Sequence, residues 1–327
     1  MHVRAPGRVN LIGDHTDYTG GLVFPMAIDR YTTIAYEHIG DSIHLTSHDD
    51  PDVVEFALGS TFDSQMHPRW GRYVAAVASV MHAPQPVHGT IETTIPVGAG
   101  LSSSAALEIS CALALGSTLS PRELALMTQR AEQLATGVPT GIMDQLCIAS
   151  ARDNHGTLID CHTLEITHIP IPHEVDIVVQ FIAHRTLEGS EYATRVAECA
   201  SAESLIGPLR EADLSQVDTI ADDIIRARAR HVVSENNRVR HFTDALVRGN
   251  YTAAGRLMVG SHQSLSRDYA TSTPQMDAAV DAAMHTPGVF GARMTGGGFG
   301  GCIVALCTPE SSLPGWRVRP SGAATHL

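Results

Sequence analysis

The chain has 327 residues with 43% apolar and 17% charged side chains, which excludes a disordered protein and leaves room for one large domain or two. Its formal charge of −13 at pH 7 argues against a nucleic-acid partner, because the nucleic-acid phosphates would be repelled. Six cysteines occur without a Cys-x-x-Cys pair, so neither a zinc site nor a disulfide framework is indicated. No signal peptide opens the chain and no segment reaches about 18 consecutive apolar residues, so we predict a cytoplasmic protein without a membrane partner. Nothing in the sequence demands a dimer, and we predict a monomer.

A polar loop near the N-terminus is the first candidate for a binding site. The segment Gly13-Asp-His-Thr-Asp-Tyr18 places two carboxylates, an imidazole and a phenol close together, a set suited to hydrogen-bonding a polyol. A polar surface turn with Asp side chains as caps is the alternative. Arg8 lies just upstream among small and apolar residues, and a buried arginine needs an anionic partner.

The segment that follows predicts a small antiparallel sheet and a helix. Short strands are indicated at residues 31–36, 42–47 and 53–57, with turn residues between them. A helical pattern at 69–81 carries Trp70 and Tyr73 one turn apart, a pair that belongs to the core more often than to a cofactor site. Residues 88–95 then alternate like a strand and lead directly into a glycine-rich loop.

This glycine-rich loop and the helix after it predict an anion-binding site. The segment Pro96-Val-Gly-Ala-Gly-Leu-Ser-Ser-Ser-Ala-Ala106 runs into a helical stretch at 105–115. Gly98 and Gly100 can turn successive N–H groups toward one point, where the helix dipole adds partial positive charge. The three serines bring hydroxyls that can cap the helix, bond a phosphate oxygen or reach a magnesium ion. A lone Gly-x-Gly is more simply an ordinary loop with a serine N-cap, but three consecutive serines favour a nucleotide triphosphate.

The basic residues narrow the class of phosphate site. The chain contains 22 arginines and no lysine. A Walker A loop needs its lysine on the phosphates, so that class is excluded, as are a lysine Schiff base and the strand lysine of a protein kinase. If this loop holds phosphate, then backbone amides, hydroxyls, a metal ion and arginine must do it.

A single carboxylate stands out in the helices that follow the loop. The segment Ser120-Pro-Arg-Glu123 predicts a helix start that runs to about residue 135, and a second, shorter helix is predicted at 142–150. Asp144 lies inside this otherwise apolar second helix, where an unpaired charge is costly. It either balances the helix dipole from the first turn or serves as a base.

The second half of the chain predicts another unit. A hairpin is indicated at 157–159 and 164–171 and a buried strand at 175–183. We therefore place the domain boundary near residue 172, which gives domains 1–172 and 173–327. Further helices are predicted at 189–202, 220–247, 251–266 and 277–284.

A last glycine-rich segment lies near the C-terminus. Glycines crowd residues 296–301 just before a buried strand. Such crowding indicates close backbone approach, either to a ligand or to the first loop.

Three of these segments together resemble the signature motifs of the GHMP small-molecule kinases, and the galactokinase branch of that family fits best. The segment 7–18 is similar to the first motif, the glycine-serine loop at 96–106 to the phosphate loop, and 294–302 to the third motif. Other similar segments are Gly141-Ile-Met-Asp-Gln145, Gly189-Ser-Glu-Tyr-Ala-Thr-Arg195, His231-Val-Val-Ser-Glu235 and residues 320–323. The matches span nearly the whole chain in the family's order, so the resemblance is specific.

This resemblance implies ATP-dependent phosphorylation of a sugar at its anomeric hydroxyl, with a sugar 1-phosphate and ADP as products. Asp144 would be the catalytic base and Arg8 its partner, while Ser104 and Glu132 would hold Mg²⁺ on the ATP phosphates. The residues that would wrap the phosphates are Gly98, Ala99, Gly100, Leu101, Ser102 and Ser103. Those that would surround the sugar are Asp14, His15, Asp17, Gly141 and Tyr192, and Trp70 and Tyr73 would lie near the adenosine.

The same resemblance implies an α+β two-domain fold. Its N-terminal domain would be ribosomal S5 domain 2-like, its C-terminal domain ferredoxin-like, and the active site would lie in the cleft between them. One position departs from the family pattern, because galactokinases usually have Glu where this chain has Asp14. A carboxylate one methylene shorter reaches about 1.5 Å less far, which could loosen a hydrogen bond to a distal sugar hydroxyl.

The resemblance leaves two alternatives to a galactose kinase. One is a kinase of the same family for another sugar, such as N-acetylgalactosamine or arabinose. The other is a catalytically silent galactose sensor. Sensors of that kind lack residues of the serine loop, whereas Ser104, Ala105, Arg8 and Asp144 are all present here.

Overall fold

The computed structural model describes residues 1–184 and 191–327, which form two β-sheets with helices packed against them. The strands in chain order are β1 (His2–Ile12), β2 (Leu22–Glu37), β3 (Ser42–Ser47), β4 (Val54–Ala57), β5 (Val87–Thr93), β6 (His155–Asp160), β7 (Glu165–Pro170), β8 (Asp176–Ala183), β9 (Val289–Thr295), β10 (Gly301–Cys307), β11 (Trp316–Val318) and β12 (Thr325–His326). The helices are α1 (Gly71–Val80), α2 (Ser103–Ala114), α3 (Pro121–Thr136), α4 (Met143–Ser150), α5 (Glu191–Ile206), α6 (Leu214–Val217), α7 (Asp223–Val247), α8 (Tyr251–Arg267) and α9 (Pro274–Met284).

Most elements expected from the sequence occur, but the strand expected at 31–36 is longer, since β2 begins at Leu22. The expected antiparallel sheet of β2, β3 and β4 is wrong, because β5 lies between β2 and β3 and pairs with β3 in parallel. Helix α3 begins as predicted, because Ser120 and Glu123 form a reciprocal capping box and Pro121 is the first helical residue. The helix predicted at 189–202 is present as α5, but the first two residues of the prediction, Gly189 and Ser190, lie outside the described residues.

The first sheet has the strand order β12-β1-β2-β5-β3-β4, and β6 pairs with β2 and with β7. The pairs are antiparallel except for β3 and β5, which run parallel. The end of the chain returns to this sheet, where Thr325 and His326 pair with β1. The domain boundary near residue 172 stays a prediction, and the tail adds a piece of the second half to the first sheet.

The second sheet has the antiparallel order β11-β8-β10-β9. Every residue of β10 is buried, as expected for the apolar run at that position. One hydrophobic core surrounds the first sheet and also takes in one face of the second sheet, through Ile177 and Val179 of β8 and Val304 of β10. A second core covers the other face of the second sheet, and two sheets with helices packed against them confirm the α+β two-domain class. The second unit follows the β-α-β-β-α-β pattern of ferredoxin-like domains except at 308–315, a fully described segment that is a loop rather than a second helix.

Helix α7 connects the two units. Its Val232 belongs to the core of the second sheet, whereas Val239 and Phe242 belong to the core of the first. The Phe242 ring lies 6.0 Å from that of Phe24 in β2. This packing brings the turn between β9 and β10 against the polar loop that follows β1. Among the described helices, none has both the length and the hydrophobicity to cross a bilayer.

Candidate active site

Arg8 and Asp144 form a two-armed ion pair where β1 meets the first turn of α4. The Arg8 Nε and Nη2 atoms donate to the Asp144 Oδ1 and Oδ2 atoms, each at 2.6 Å. The third arm, Nη1, donates to the carbonyl of Gly100 at 2.7 Å. Burial lowers the pKa of Arg8, but Asp144 more than offsets this, so the pKa lies above its ordinary value. The anionic partner that a buried arginine requires is therefore Asp144.

Strand β1 holds Arg8 against the glycine-serine loop through backbone contacts. The Arg8 N–H donates to the Leu101 carbonyl at 3.1 Å. A Cβ atom on Gly7 would lie 2.8 Å from the same carbonyl oxygen, so the two chains approach closely only because residue 7 is glycine. The guanidinium is thus fixed relative to the loop that the sequence assigns to phosphate.

A second carboxylate lies beside the loop. The Ser104 hydroxyl donates to Glu132 Oε1 at 2.9 Å, and Gln145 Nε2 donates to Glu132 Oε2 at 2.8 Å. Gln145 Nε2 also contacts Glu108 Oε2, at 3.3 Å, so one amide holds two carboxylates in place. Burial raises the pKa of Glu132, and the negative charge of Asp144 raises it further.

The Ser104 and Glu132 pair fits a hard divalent cation. Hydroxyl and carboxylate oxygens are the ligands that Mg²⁺ prefers, and two protein ligands are enough when phosphates supply others. Burial and, after it, the negative charge of Asp144 raise the pKa of Glu132, and a bound cation would neutralise that negative charge. Within residues 1–184 and 191–327, no group of three or more His, Cys, Asp or Glu side chains could hold a metal ion.

Asp14 is held by donors from the second unit. Its Oδ2 atom accepts from Nη2 of Arg293, a fully buried residue of β9, and its Oδ1 atom accepts from the Gly296 N–H at 2.9 Å. The glycine cluster therefore approaches the first loop, one of the two alternatives that its sequence indicates. Burial raises the pKa of Asp14, and the Arg293 guanidinium opposes the rise.

His15 is fixed on both ring nitrogens. Its Nδ1 atom lies 2.9 Å from the Tyr18 hydroxyl and its Nε2 atom 3.2 Å from the Gly297 carbonyl. Its ring packs against Tyr192 and Tyr269, with centroids 5.5 and 4.8 Å away. An imidazole held in this way presents a single orientation to a ligand.

Asp17 packs directly on Gly141. A Cβ atom at position 141 would lie only 1.7 Å from Asp17 Oδ2, so any other residue there would displace the carboxylate. Burial raises the pKa of Asp17 to about 7, and Asp144 adds to the rise, while backbone N–H groups of Tyr18 and Met143 oppose it.

The residues predicted to bind a sugar and to carry out catalysis line one cavity. This acceptor cavity contains every member of those two sets, namely Arg8, Asp14, His15, Asp17, Gly141, Asp144 and Tyr192. Ser102, Ser104 and Glu132 also line it, so the predicted metal ligands lie at its edge. The loop, α3, α4 and the glycine turn after β9 thus converge on one point.

A larger cleft of about 860 Å³ lies on the other side of the serines. It is lined by most residues predicted for the nucleotide, namely Trp70, Tyr73, Gly98, Gly100, Ser102, Ser103 and Ser104. Ala99 and Leu101 have side chains buried in the core, so only their backbone groups could contact a phosphate. The indole N–H of Trp70 is buried and has no hydrogen-bond partner among the described residues.

Some residues of the site were not predicted from the sequence. Thr140 and Met143 line the acceptor cavity, and Asp49, Asp50 and Arg69 line the cleft. Gly296 and Gly297 also line the cavity, and the sequence indicated them only as backbone that approaches a ligand or the first loop. Arg293 supports the cavity through Asp14. The sequence did contain a signal for Arg293, because it is an arginine within an apolar strand, the same pattern that singled out Arg8.

Three protein-family models match the chain in consecutive order. They are described as the galactokinase galactose-binding signature, at residues 1–38, the GHMP kinases N terminal domain, at 72–152, and the GHMP kinases C terminal, at 242–314. The chain is 42% identical over 332 residues to the galactokinase of Chloroflexus aurantiacus, an alignment that covers 94% of this chain and 84% of that protein. It is 40% identical over 329 residues to human galactokinase, covering 94% and 83%.

Solved structures agree with these matches. A Lactococcus lactis galactokinase complexed with galactose superposes with a TM-score of 0.89 at 29% identity, covering 100% of this chain and 95% of that one. The mevalonate kinase of Methanococcus jannaschii has a TM-score of 0.70 at 20% identity, covering 98% of each chain, and this shows a shared fold.

Proposed function

The chain belongs to the galactokinase family of the GHMP kinases, and on that premise we propose that it transfers the γ-phosphoryl group of ATP to the anomeric hydroxyl of D-galactose, giving galactose 1-phosphate and ADP. One observation supports this most directly. The Arg8–Asp144 pair lines the acceptor cavity and is hydrogen-bonded to Gly100 and Ser102, two residues of the glycine-serine loop that line the neighbouring cleft. Such a junction is where an acceptor hydroxyl and a terminal phosphate would meet.

In the acceptor cavity, the sugar hydroxyls would contact carboxylates, an imidazole, a phenol and backbone groups. The residues proposed for this contact are Asp14, His15, Asp17, Gly141 and Tyr192. Many fixed acceptors with few donors suit a neutral polyol, whose hydroxyls all donate. A ring hydroxyl of wrong configuration would leave one of these buried groups unpaired, which is the physical basis of sugar selectivity.

Asp144 would act as the general base. Its carboxylate would accept the proton of the anomeric hydroxyl as the oxygen forms a bond to the γ-phosphorus, and the bond from that phosphorus to the bridging oxygen of ADP breaks with its electron pair going to ADP. Arg8 would hold the carboxylate in place and stabilise the negative charge that develops on the oxygens of the phosphoryl group during its transfer. Its third arm on Gly100 would fix the guanidinium relative to the phosphates.

The loop would bind the phosphates through backbone amides at the N-terminus of α2. Ser104 and Glu132 would hold Mg²⁺, which supplies positive charge that neutralises the phosphate oxygens during transfer. Glu132→Gln should weaken binding of Mn²⁺, used as an EPR probe in place of Mg²⁺ with ADP, by about 10-fold. An unchanged Mn²⁺ affinity would remove Glu132 from the metal site.

The deciding experiment is ADP release by the purified protein with Mg·ATP and a panel of galactose, N-acetylgalactosamine, arabinose and glucose. Asp144→Asn and a control, Asp244→Asn, in which an exposed carboxylate of α7 is changed, are run in parallel. Turnover that is highest with galactose and lost only in Asp144→Asn is the expected result. Turnover with another sugar only would keep the chemistry and change the substrate. Galactose binding by calorimetry without any turnover would favour the sensor.

Two further properties are proposals. We place the reaction in the cytoplasm, and the buried free thiols of Cys111, Cys147, Cys161, Cys199 and Cys307 are compatible with a reducing compartment. We also propose that the enzyme works as a monomer, which sedimentation of the purified protein would test.

A further inference from the structure

Ser102 has a backbone conformation unusual for a serine at the start of a helix. It immediately precedes α2, with φ 59° and ψ 44°, in the left-handed region that favours glycine. A serine at this position normally accepts a hydrogen bond from its own helix, yet the Ser102 side chain makes no such bond. The left-handed conformation of Ser102 therefore does not serve to cap helix α2.

The Ser102 hydroxyl makes its hydrogen bond outside helix α2. It donates to Asp144 Oδ2, the same oxygen that accepts from Arg8 Nη2. Asp144 Oδ1 accepts from Arg8 Nε. A carboxylate oxygen has two lone pairs, so Oδ2 is filled by its two donors while Oδ1 keeps a place for one more proton.

Ser102 also lies at the boundary of the two binding spaces. It lines both the acceptor cavity and the nucleotide cleft, a property that it shares with Ser104. Ser104 is directed to Glu132, whereas Ser102 is directed to Asp144. The loop that would hold the phosphates is thus joined to each functional carboxylate by its own serine.

We propose that Ser102 is a positioning residue for the base: its hydroxyl occupies Oδ2 of Asp144 and leaves Oδ1 to accept the proton of the anomeric hydroxyl. The left-handed backbone is what turns the hydroxyl away from the helix and toward the carboxylate. This inference rests on the proposed role of Asp144 and deepens it, since it assigns the reacting oxygen and the residue that selects it.

The test separates the hydroxyl from the backbone strain by three substitutions. Ser102→Gly removes the hydroxyl and relieves the strain, Ser102→Ala removes the hydroxyl and keeps the strain, and Ser102→Thr keeps the hydroxyl and increases the strain. We expect kcat to fall about 10- to 100-fold in the Gly and Ala variants, because a misplaced base costs rate in that range, and to fall less in the Thr variant. The KM values for galactose and ATP should stay within about 3-fold of the wild type.

The melting temperatures of the three variants should rank differently from their kcat values, because stability depends on the backbone strain and not on the hydroxyl. Ser102→Gly is expected to melt at or above the wild-type temperature, Ser102→Ala below it and Ser102→Thr lowest. Asn154→Gly is the matched control, since Asn154 is an exposed residue with φ 62° that lines neither cavity, and the kcat of this variant should not change.

Each outcome has a single reading. Activity that tracks the hydroxyl while stability tracks the strain supports the inference. Wild-type kcat in the Gly and Ala variants, or activity that follows stability, would overturn it and leave the kinase function intact. If the Thr variant does not fold, the comparison of Gly with Ala still decides. No turnover in the wild type on any sugar would instead overturn the proposed function and this inference with it.

Discussion

Arg8 and Asp144 are 136 positions apart in the chain and are joined by two hydrogen bonds of 2.6 Å each. Both residues line the acceptor cavity, and since the side chain of Arg8 is 3% exposed and that of Asp144 is 22% exposed, the carboxylate is the accessible end of the pair. Two parallel hydrogen bonds of this kind hold the carboxylate in one orientation. Both the catalytic rate and the stability of the protein are therefore expected to depend on this pair.

Asp144→Asn should lower kcat by about 10³-fold, because an amide cannot accept the proton of the acceptor hydroxyl. It should also lower the free energy of unfolding by about 1 to 3 kcal/mol, since the buried Arg8 charge would lose its counterion and keep only neutral acceptors, the Gly100 carbonyl and the new amide oxygen. ADP release and urea unfolding measure the two effects. A kcat within 10-fold of the wild type would assign the base to another group.

Gly141→Ala should raise the KM for the sugar by at least about 10-fold, because the new Cβ atom would occupy the place of the Asp17 carboxylate, 1.7 Å from its Oδ2 atom. The KM for ATP should not change, since Gly141 lines the acceptor cavity and not the cleft. Gly260→Ala in α8 is the control, because among the described residues outside its own helix the added Cβ would meet only the Cδ atom of Arg238, at 3.8 Å. Equal effects on both substrates would contradict the assignment of Asp17 to the sugar.

The stability of the ligand-free protein should depend on the titration of Asp17. Its folded pKa is about 7 against an ordinary value of 3.8, so the folded state holds this proton more tightly than the unfolded state. The resulting stabilisation is fully present below about pH 4 and is lost as the pH rises through 7. Relative to Asp17→Asn, the wild type should therefore be less stable near pH 8 than near pH 5. Urea unfolding of both proteins at the two pH values is the measurement, and an identical difference at both would show that Asp17 does not titrate in this range.

Arg293 and Asp14 should behave as one unit in a double-mutant cycle. Arg293→Met leaves the buried Asp14 carboxylate with only the Gly296 N–H, and the free energy of unfolding should fall by about 3 to 5 kcal/mol. Combining it with Asp14→Asn removes the unpaired charge and should recover about 1 kcal/mol or more. Additive losses in the double variant would mean that the two residues act independently.

Local signals in the sequence were sufficient for most secondary structure. The capping box of Ser120 and Glu123 placed the start of α3, and strand-like residues with turn residues between them located β3, β4 and the second half of β2. These signals work because they depend on backbone and side-chain interactions within a few residues of chain. The C-terminal strand β12 gave no comparable signal, since a strand of two residues is too short to show an alternation of polar and apolar side chains, and its pairing with β1 could not be predicted.

The residues of the candidate active site also fall into those that the sequence identified and those that needed the structure. The polar loop, the glycine-serine loop and the last glycine cluster were recognisable because each concentrates unusual residue types in a short stretch, and Arg8 because a charge among apolar neighbours demands a partner. The sequence left open whether Asp144 was a dipole-balancing residue or a base, and it did not show that Arg293 would hold Asp14.

The sequence by itself determined which residues needed a partner, since desolvation makes an unpaired charge costly wherever the chain places it. Only the tertiary structure decided which partner each received. The Arg8–Asp144 pair, the contact of Asp17 with Gly141 and the turn of the Ser102 hydroxyl toward Asp144 all join segments far apart in sequence. Their geometry follows from how β1, α2 and α4 pack, and packing depends on the whole core rather than on any local stretch.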